Sequence, residues 1–239
     1  MKNPNLKTFD HTVGILIYHR TEELVTMAQE CLGSVLANID RNTTELIIVD
    51  NGSPIRSNVW EKNADTYIRF SENKGISRGW NAILNSARGK YITIIGDDVK
   101  VRQNWLSELQ KAKDMPKCGV ANIHVEHLPV GIGIVETYKW PSGACFMLDK
   151  NTINTVGYFD ETIFPANTED WDYWIRLYQH GLKFYRNYGC SIQHLEGQTV
   201  HSPDISAEHN RLLMNLRKKY GFDPVPIFCG DTSMPDFSI

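Results

Sequence analysis

The alternation of short β-branched runs with stretches of helical periodicity constrains the first half of this chain more than any other feature. The runs Thr12–Tyr18, Glu45–Val49, Thr66–Phe70 and Tyr91–Ile95 are too short for helices and nearly continuous in apolar character, as strands buried on both faces are. Between them, Leu24, Ala28, Cys31, Leu32 and Val35, and later Ile76, Trp80, Ile83, Leu84 and Ala87, return every three or four residues, so each set makes one helix face. Thr21 is placed to cap the first helix, and Glu22 and Glu23 suit its positive end. Such alternation predicts an α/β fold with a mainly parallel central sheet flanked by helices. Open sheets of this kind bind ligands at the carboxyl ends of their strands, which puts Asp50 and Gly96-Asp97-Asp98 at a site edge. Two adjacent carboxylates after a buried strand repel unless a cation or water satisfies them, so Asp97 and Asp98 are metal-site candidates.

The second half is expected to hold a helix over Asn104–Asp114 and strands at Cys118–Ile123, Ala144–Leu148, Lys183–Tyr188 and Cys190–Gln193. A helix starts near Thr168-Glu169-Asp170, an amphipathic one spans Asp204–Tyr220, and an irregular Pro-rich tail follows from Gly221. No internal repeat divides the 239 residues, so one domain is expected over 1–221, with halves at 12–99 and 100–221 and a tail at 222–239. With 25 basic against 28 acidic side chains there is no global electrostatic footprint for nucleic acid. The five cysteines have no Cys-x-x-Cys spacing and read as reduced thiols. No segment approaches the roughly 20 apolar residues of a membrane span, and a cytoplasmic setting is expected. His124-Val125-Glu126-His127 has a metal-like look, but its histidines would point to opposite faces of a strand, so it is read as surface or acceptor rim.

The order and spacing of several short motifs resemble the family 2 glycosyltransferases of the GT-A, Rossmann-like fold. The pieces are Ile17-Tyr18-His19-Arg20, Ile48-Val49-Asp50-Asn51-Gly52-Ser53, Glu72-Asn73-Lys74-Gly75 with Gly79-Trp80-Asn81, and Gly96-Asp97-Asp98. Gly157-Tyr158-Phe159-Asp160-Glu161, Thr168-Glu169-Asp170, His194 and Lys219-Tyr220-Gly221 follow. The resemblance implies an inverting, divalent-metal-dependent transfer of a hexosyl or pentosyl group from a nucleotide diphosphate sugar, a UDP- or dTDP-sugar by family habit, to an acceptor hydroxyl. The acceptor is a glycan, a lipid-linked sugar, a protein or a modified nucleobase, with peripheral membrane contact through the basic end of the last helix as one route to it.

By the same resemblance Asp170 is the base, with Glu169 and Asp172 as competing carboxylates, and Asp98 and His194 hold Mn2+ or Mg2+. A carboxylate at a helix start is expected to stay ionised in the dipole field. Tyr18, Arg20, Asp50, Asn73, Lys74, Gly75, Arg78 and Asp97 fall to the nucleotide sugar, and Trp140 and Glu169 to the acceptor. Asp50 also reads as a turn former, Lys74 and Arg78 as a solvated helix face, and Trp140 as core packing. The departures are Ile17 and His19 where the family has Thr and Asn, and Gly96 in place of the first residue of Asp-x-Asp. Gly96 keeps open a non-catalytic nucleotide-sugar or carbohydrate binding protein. A sugar-nucleotide nucleotidyltransferase needs a glycine-rich loop after the first strand, which Ile17-Tyr18-His19-Arg20-Thr21 lacks.

Overall fold

The computed structural model describes residues 8–128, 130–137, 142–195 and 203–228. The chain runs β1 (His11–Ile17), α1 (Glu22–Ala37), β2 (Thr44–Asp50), α2 (Val59–Asn63), β3 (Thr66–Arg69), α3 (Ile76–Ser86), β4 (Tyr91–Gly96), β5 (Val99–Lys100) and α4 (Trp105–Lys113). It continues through β6 (Cys118–Val125), β7 (Ile134–Glu136), β8 (Cys145–Asp149), α5 (Lys150–Val156), α6 (Glu169–Gln179), β9 (Lys183–His194), α7 (Pro203–Tyr220) and α8 (Pro224–Phe228).

The described residues form a nine-stranded sheet in the order β3-β2-β1-β4-β8-β6-β9-β5, with β7 paired to β9. β3, β2, β1 and β4 are parallel, as the first half predicts. β8 runs antiparallel to both β4 and β6, while β6 and β9 are again parallel. Among the described residues no helix separates β6 from β8, and a parallel pairing of those neighbours would have needed a crossover. The second half is mixed for that reason.

Side chains alternate between two cores, one on each face of the sheet. Val13, Ile15, Ile17, Leu46 and Ile48 pack with α1, Trp60 and α4, whereas Ile47, Val49, Ile92 and Ile94 pack with α3 and α6. Thr21 caps α1 as expected, accepting the Leu24 N–H at 3.4 Å.

Three expectations need correction. Lys183–Tyr188 and Cys190–Gln193 are one strand, because a register slip against β6 between Ile123 and His124 absorbs the irregular residues without ending the ladder. The stretch after Gly221 opens with α8, whose Ile227 and Phe228 are buried, with the Phe228 ring 5.2 Å from that of Trp171. His124 is buried, its ring 5.3 Å from Tyr188, and does not lie on the surface. Among the described residues no helix is long and apolar enough to cross a membrane.

Candidate active site

Each parallel strand delivers one part of the site at its carboxyl end. β2 ends in Asp50, which is buried and already partnered: Oδ1 accepts the Ser53 N–H at 2.7 Å, and Oδ2 accepts the Tyr67 hydroxyl at 3.0 Å and the Arg69 guanidinium. Arg69 stands opposite Asp50 in the β2–β3 register and also holds the Ser53 carbonyl at 2.8 Å. Sequence reasoning selected Asp50 and passed over Arg69. The signal was its position at the end of the neighbouring strand.

The loop after β1 carries Tyr18, His19 and Arg20. The Arg20 guanidinium lies 5.9 Å from the Tyr18 ring centre, and the Tyr18 N–H donates to the Asp97 carboxylate. His19 takes the place of the family's Asn and is wholly buried, its ring 5.1 Å from Trp60 and its Nε2 3.4 Å from Asp97 Oδ2. Burial pushes the Asp97 carboxyl up, against the opposing contact with His19.

Asn73 and Gly75 belong to a loop organised from within: the Asn51 amide donates to Asn73 Oδ1 at 2.9 Å, which also accepts the Gly75 N–H at 2.8 Å. Lys74 pairs with Glu72, and Arg78 pairs with Glu161 at 2.8 Å. These two cations face acidic side chains, so a phosphate would have to compete for them.

Asp98 follows β4 and is brought to His194 at the end of β9, with Oδ2 3.2 Å from Nε2. Val99 and His194 are register partners, so the β5–β9 pairing itself makes this contact. Two ligands about 2.1 Å from one ion and at right angles stand roughly 3 Å apart, so the pair fits two adjacent corners of an octahedral cation. A carboxylate with an imidazole suits manganese at least as well as magnesium. Among the described residues no group of three or more His, Cys, Asp and Glu converges on one point, so the remaining ligands would be substrate oxygens or water. Gly96 also has a structural reason. A Cβ there would stand 2.7 Å from Asp98 Oδ1, so the missing side chain is what lets the Asp98 carboxylate fold back over the strand end.

Asp170 and Glu169 open α6. Asp170 Oδ1 accepts the Trp171 N–H at 2.9 Å, and Oδ2 lies against the backbone of Gly143. Burial pushes both carboxyls above the ordinary carboxylate range, and for Glu169 the neighbouring charge of Asp170 adds to it. Desolvation thus opposes the helix dipole at Asp170 and raises its proton affinity. Glu169 is buried and its Oε2 has no hydrogen-bond partner. Asp172 is also wholly buried, but it is bound by Arg176, Lys219 and Tyr220 and points away from the role of base. Trp140 lies outside the described residues.

The Asp98–His194 pair and Asp170 are both tied to one turn, Ser142–Cys145. Its Ala144 carbonyl accepts the Gly96 N–H at 2.7 Å, two residues before Asp98, and its Gly143 packs so closely on Asp170 that a Cβ there would stand 2.9 Å from Oδ2. The arrangement therefore has a carboxylate–imidazole pair on one flank and a desolvated carboxylate on the other.

The profile of "Glycosyl transferase family 2" matches residues 12–234. Among solved structures the chain is similar to GalNAc-T7 with UDP, GalNAc and Mn2+, at 15% identity and TM-score 0.65, covering 99% of this chain and 53% of that one. It is similar also to TarS 1-349 of S. aureus, at 13% identity and TM-score 0.62, covering 92% of this chain and 74% of that one. A third is the mannosyltransferase PcManGT of Pyrobaculum calidifontis in complex with GDP-Man and Mn2+, at 14% identity and TM-score 0.64, covering 92% and 67%. The chain thus spans about half the length of GalNAc-T7. No curated protein matches it. At these identities the structures speak for the fold, while the profile, spanning nearly the whole chain, shows that it belongs to glycosyl transferase family 2, on a GT-A scaffold.

Proposed function

We propose that this chain transfers a sugar from a nucleoside diphosphate sugar to an acceptor hydroxyl in a single, inverting displacement. Asp170 takes the proton of the incoming hydroxyl as its oxygen bonds to the anomeric carbon, while the bond from that carbon to the diphosphate oxygen breaks and the nucleoside diphosphate departs. The observation that carries this reading is the Ser142–Cys145 turn, hydrogen-bonded to Gly96 two residues before Asp98 on one side and packed through Gly143 against the Asp170 carboxylate on the other. Asp98 and His194 would hold a divalent cation, which supplies positive charge opposite the leaving diphosphate when bound. Two of the similar structures contain Mn2+, one with UDP and one with GDP-Man, which supports a nucleoside diphosphate donor and leaves its base open. Tyr18, Arg20, Asp50, Asn73, Lys74, Gly75, Arg78 and Asp97 line the strand ends and loops that would take this donor, with Glu169 toward the acceptor.

Gly96, the feature that kept a non-catalytic binding protein open, is accounted for by the approach of Asp98 and does not favour that alternative. The test is Asp170→Asn, assayed by release of nucleoside diphosphate from UDP- and GDP-sugars with Mn2+. Turnover should fall at least a hundredfold while metal-dependent donor binding stays within about threefold, because only the proton acceptor is removed. Retained turnover would remove Asp170 from the mechanism.

A further inference from the structure

The Ser142–Cys145 turn is held more tightly than a connector requires. Asn122 of β6, buried at 3% exposure, donates from Nδ2 to two carbonyls of this turn at once, Ser142 O at 3.0 Å and Cys145 O at 3.0 Å. The Ser142 hydroxyl closes it from the other side, accepting the Ala144 N–H at 3.1 Å. The turn is thus clamped before it touches anything in the site, and from it Ala144 O reaches Gly96 while Gly143 packs against Asp170.

At Gly143 there is no room for a side chain. A Cβ would stand 2.9 Å from Asp170 Oδ2 and 3.3 Å from Trp80 Cη2, so carboxylate and indole both press against the bare Cα. The carboxylate is the flexible end of a short side chain, whereas Trp80 is wedged between Phe146 and Phe159, with ring centres 5.2 and 4.9 Å away. An added methyl group would therefore displace the carboxylate and leave the indole in place.

We propose that Gly143 and Asn122 are positioning residues for the transfer: the Asn122 amide fixes the turn, and the turn's bare Gly143 Cα, packed against Asp170 Oδ2, fixes the place of the Asp170 carboxylate. The inference rests on Asp170 being the base. A misplacement of the order of an ångström costs about a hundredfold in rate, so a glycine with no functional group of its own governs turnover through the group it locates.

The test uses the full chain as wild type, Gly143→Ala, Asn122→Leu and Asp170→Asn. Carbon-13 labelling of aspartate carboxyls, with the resonance lost in Asp170→Asn as its assignment, follows the titration of Asp170 without any substrate. In Gly143→Ala its midpoint should move by more than about half a pH unit while Tm stays within about 2–4 °C. Asn122→Leu should move the same midpoint, and should the loss of its buried amide prevent folding, Gly143→Ala decides alone. Where UDP- or GDP-sugar turnover is measured, kcat of Gly143→Ala should fall about ten- to a hundredfold with donor KM within twofold. An unmoved midpoint in Gly143→Ala overturns the positioning role. Activity surviving in Asp170→Asn overturns instead the reading on which it rests.

Discussion

At Asp170 two residue-scale effects oppose each other. The second position of a helix favours an anion by about 0.3–1 kcal/mol at exposed sites. Burial beside Glu169 and the Gly143 turn penalises the same anion, and it prevails, leaving the carboxyl with a raised proton affinity. A base whose proton affinity lies nearer the working pH is also the more effective proton acceptor. The acidic limb of kcat against pH should therefore fall clearly above the ordinary aspartate value of about 3.9, and a limb at or below that value would contradict the desolvated site. Glu169 offers a separate test on stability. Its folded-state proton affinity is raised, burial first and the Asp170 charge second, so the native state is favoured below the unfolded-state value and is penalised as pH rises and the buried carboxyl ionises. Glu169→Gln removes that penalty. Its Tm should match wild type at about pH 4 and exceed it progressively toward pH 8, by about 2–4 °C for each kcal/mol relieved, and a pH-independent difference would show that Glu169 ionises freely in the fold.

At the scale of elements, sequence periodicity located β1, β2, β4, α1 and α3 because each has a long apolar stripe or a buried run and an obvious cap or turn. It failed where length was too small to show a period: α8 has five residues including two prolines, and buries Pro224, Ile227 and Phe228. The motif pieces were legible, but their pairing was not. Asn81 exchanges hydrogen bonds with the backbone of Phe159 at 2.9 Å in both directions and reaches Glu161 at 3.0 Å, so two pieces 78 residues apart form one joint. Likewise Lys219 and Tyr220 close on Asp172, at 2.6 and 2.7 Å, and so fasten α7 to α6 two residues beyond Asp170. Burial raises the Asp160 carboxyl, but hydrogen bonds from Thr162 and Lys219 outweigh it and hold it down to about 2. An exposed pair is worth about 0–1 kcal/mol, whereas loss of a partner from a buried charge costs about 3–5. Lys219 is half-exposed, and Asp172 keeps Arg176 and Tyr220. Lys219→Ala should therefore cost about 1–2 kcal/mol in urea unfolding, between those limits, and a change below about 0.5 kcal/mol would mean that α7 is held by its leucines alone.

For the whole molecule, the sheet is assembled from two halves that pair along β4 and β8 near its centre and again through β5 and β9 at its edge, and the candidate metal pair takes Asp98 from the first half and His194 from the last strand of the second. A ligand that engages both residues binds the assembled sheet and has no counterpart site in the unfolded chain, so its binding energy adds to the stability of the whole. With Mn2+ and UDP or GDP at about a hundred times Kd, the gain is about 2.7 kcal/mol, or roughly 5–10 °C in Tm at about 2–4 °C per kcal/mol. Neither Mn2+ alone nor nucleotide with chelator should reach that value, since two protein ligands leave most of the coordination shell to the diphosphate and water. Asp98→Ala should abolish the metal-dependent part and leave the metal-free nucleotide response intact, while His194→Ala reduces it partially, because a diphosphate-bound ion keeps the carboxylate. Equal stabilisation of wild type and Asp98→Ala by Mn2+ with either nucleotide would place the metal elsewhere and break the link between the two halves of the sheet.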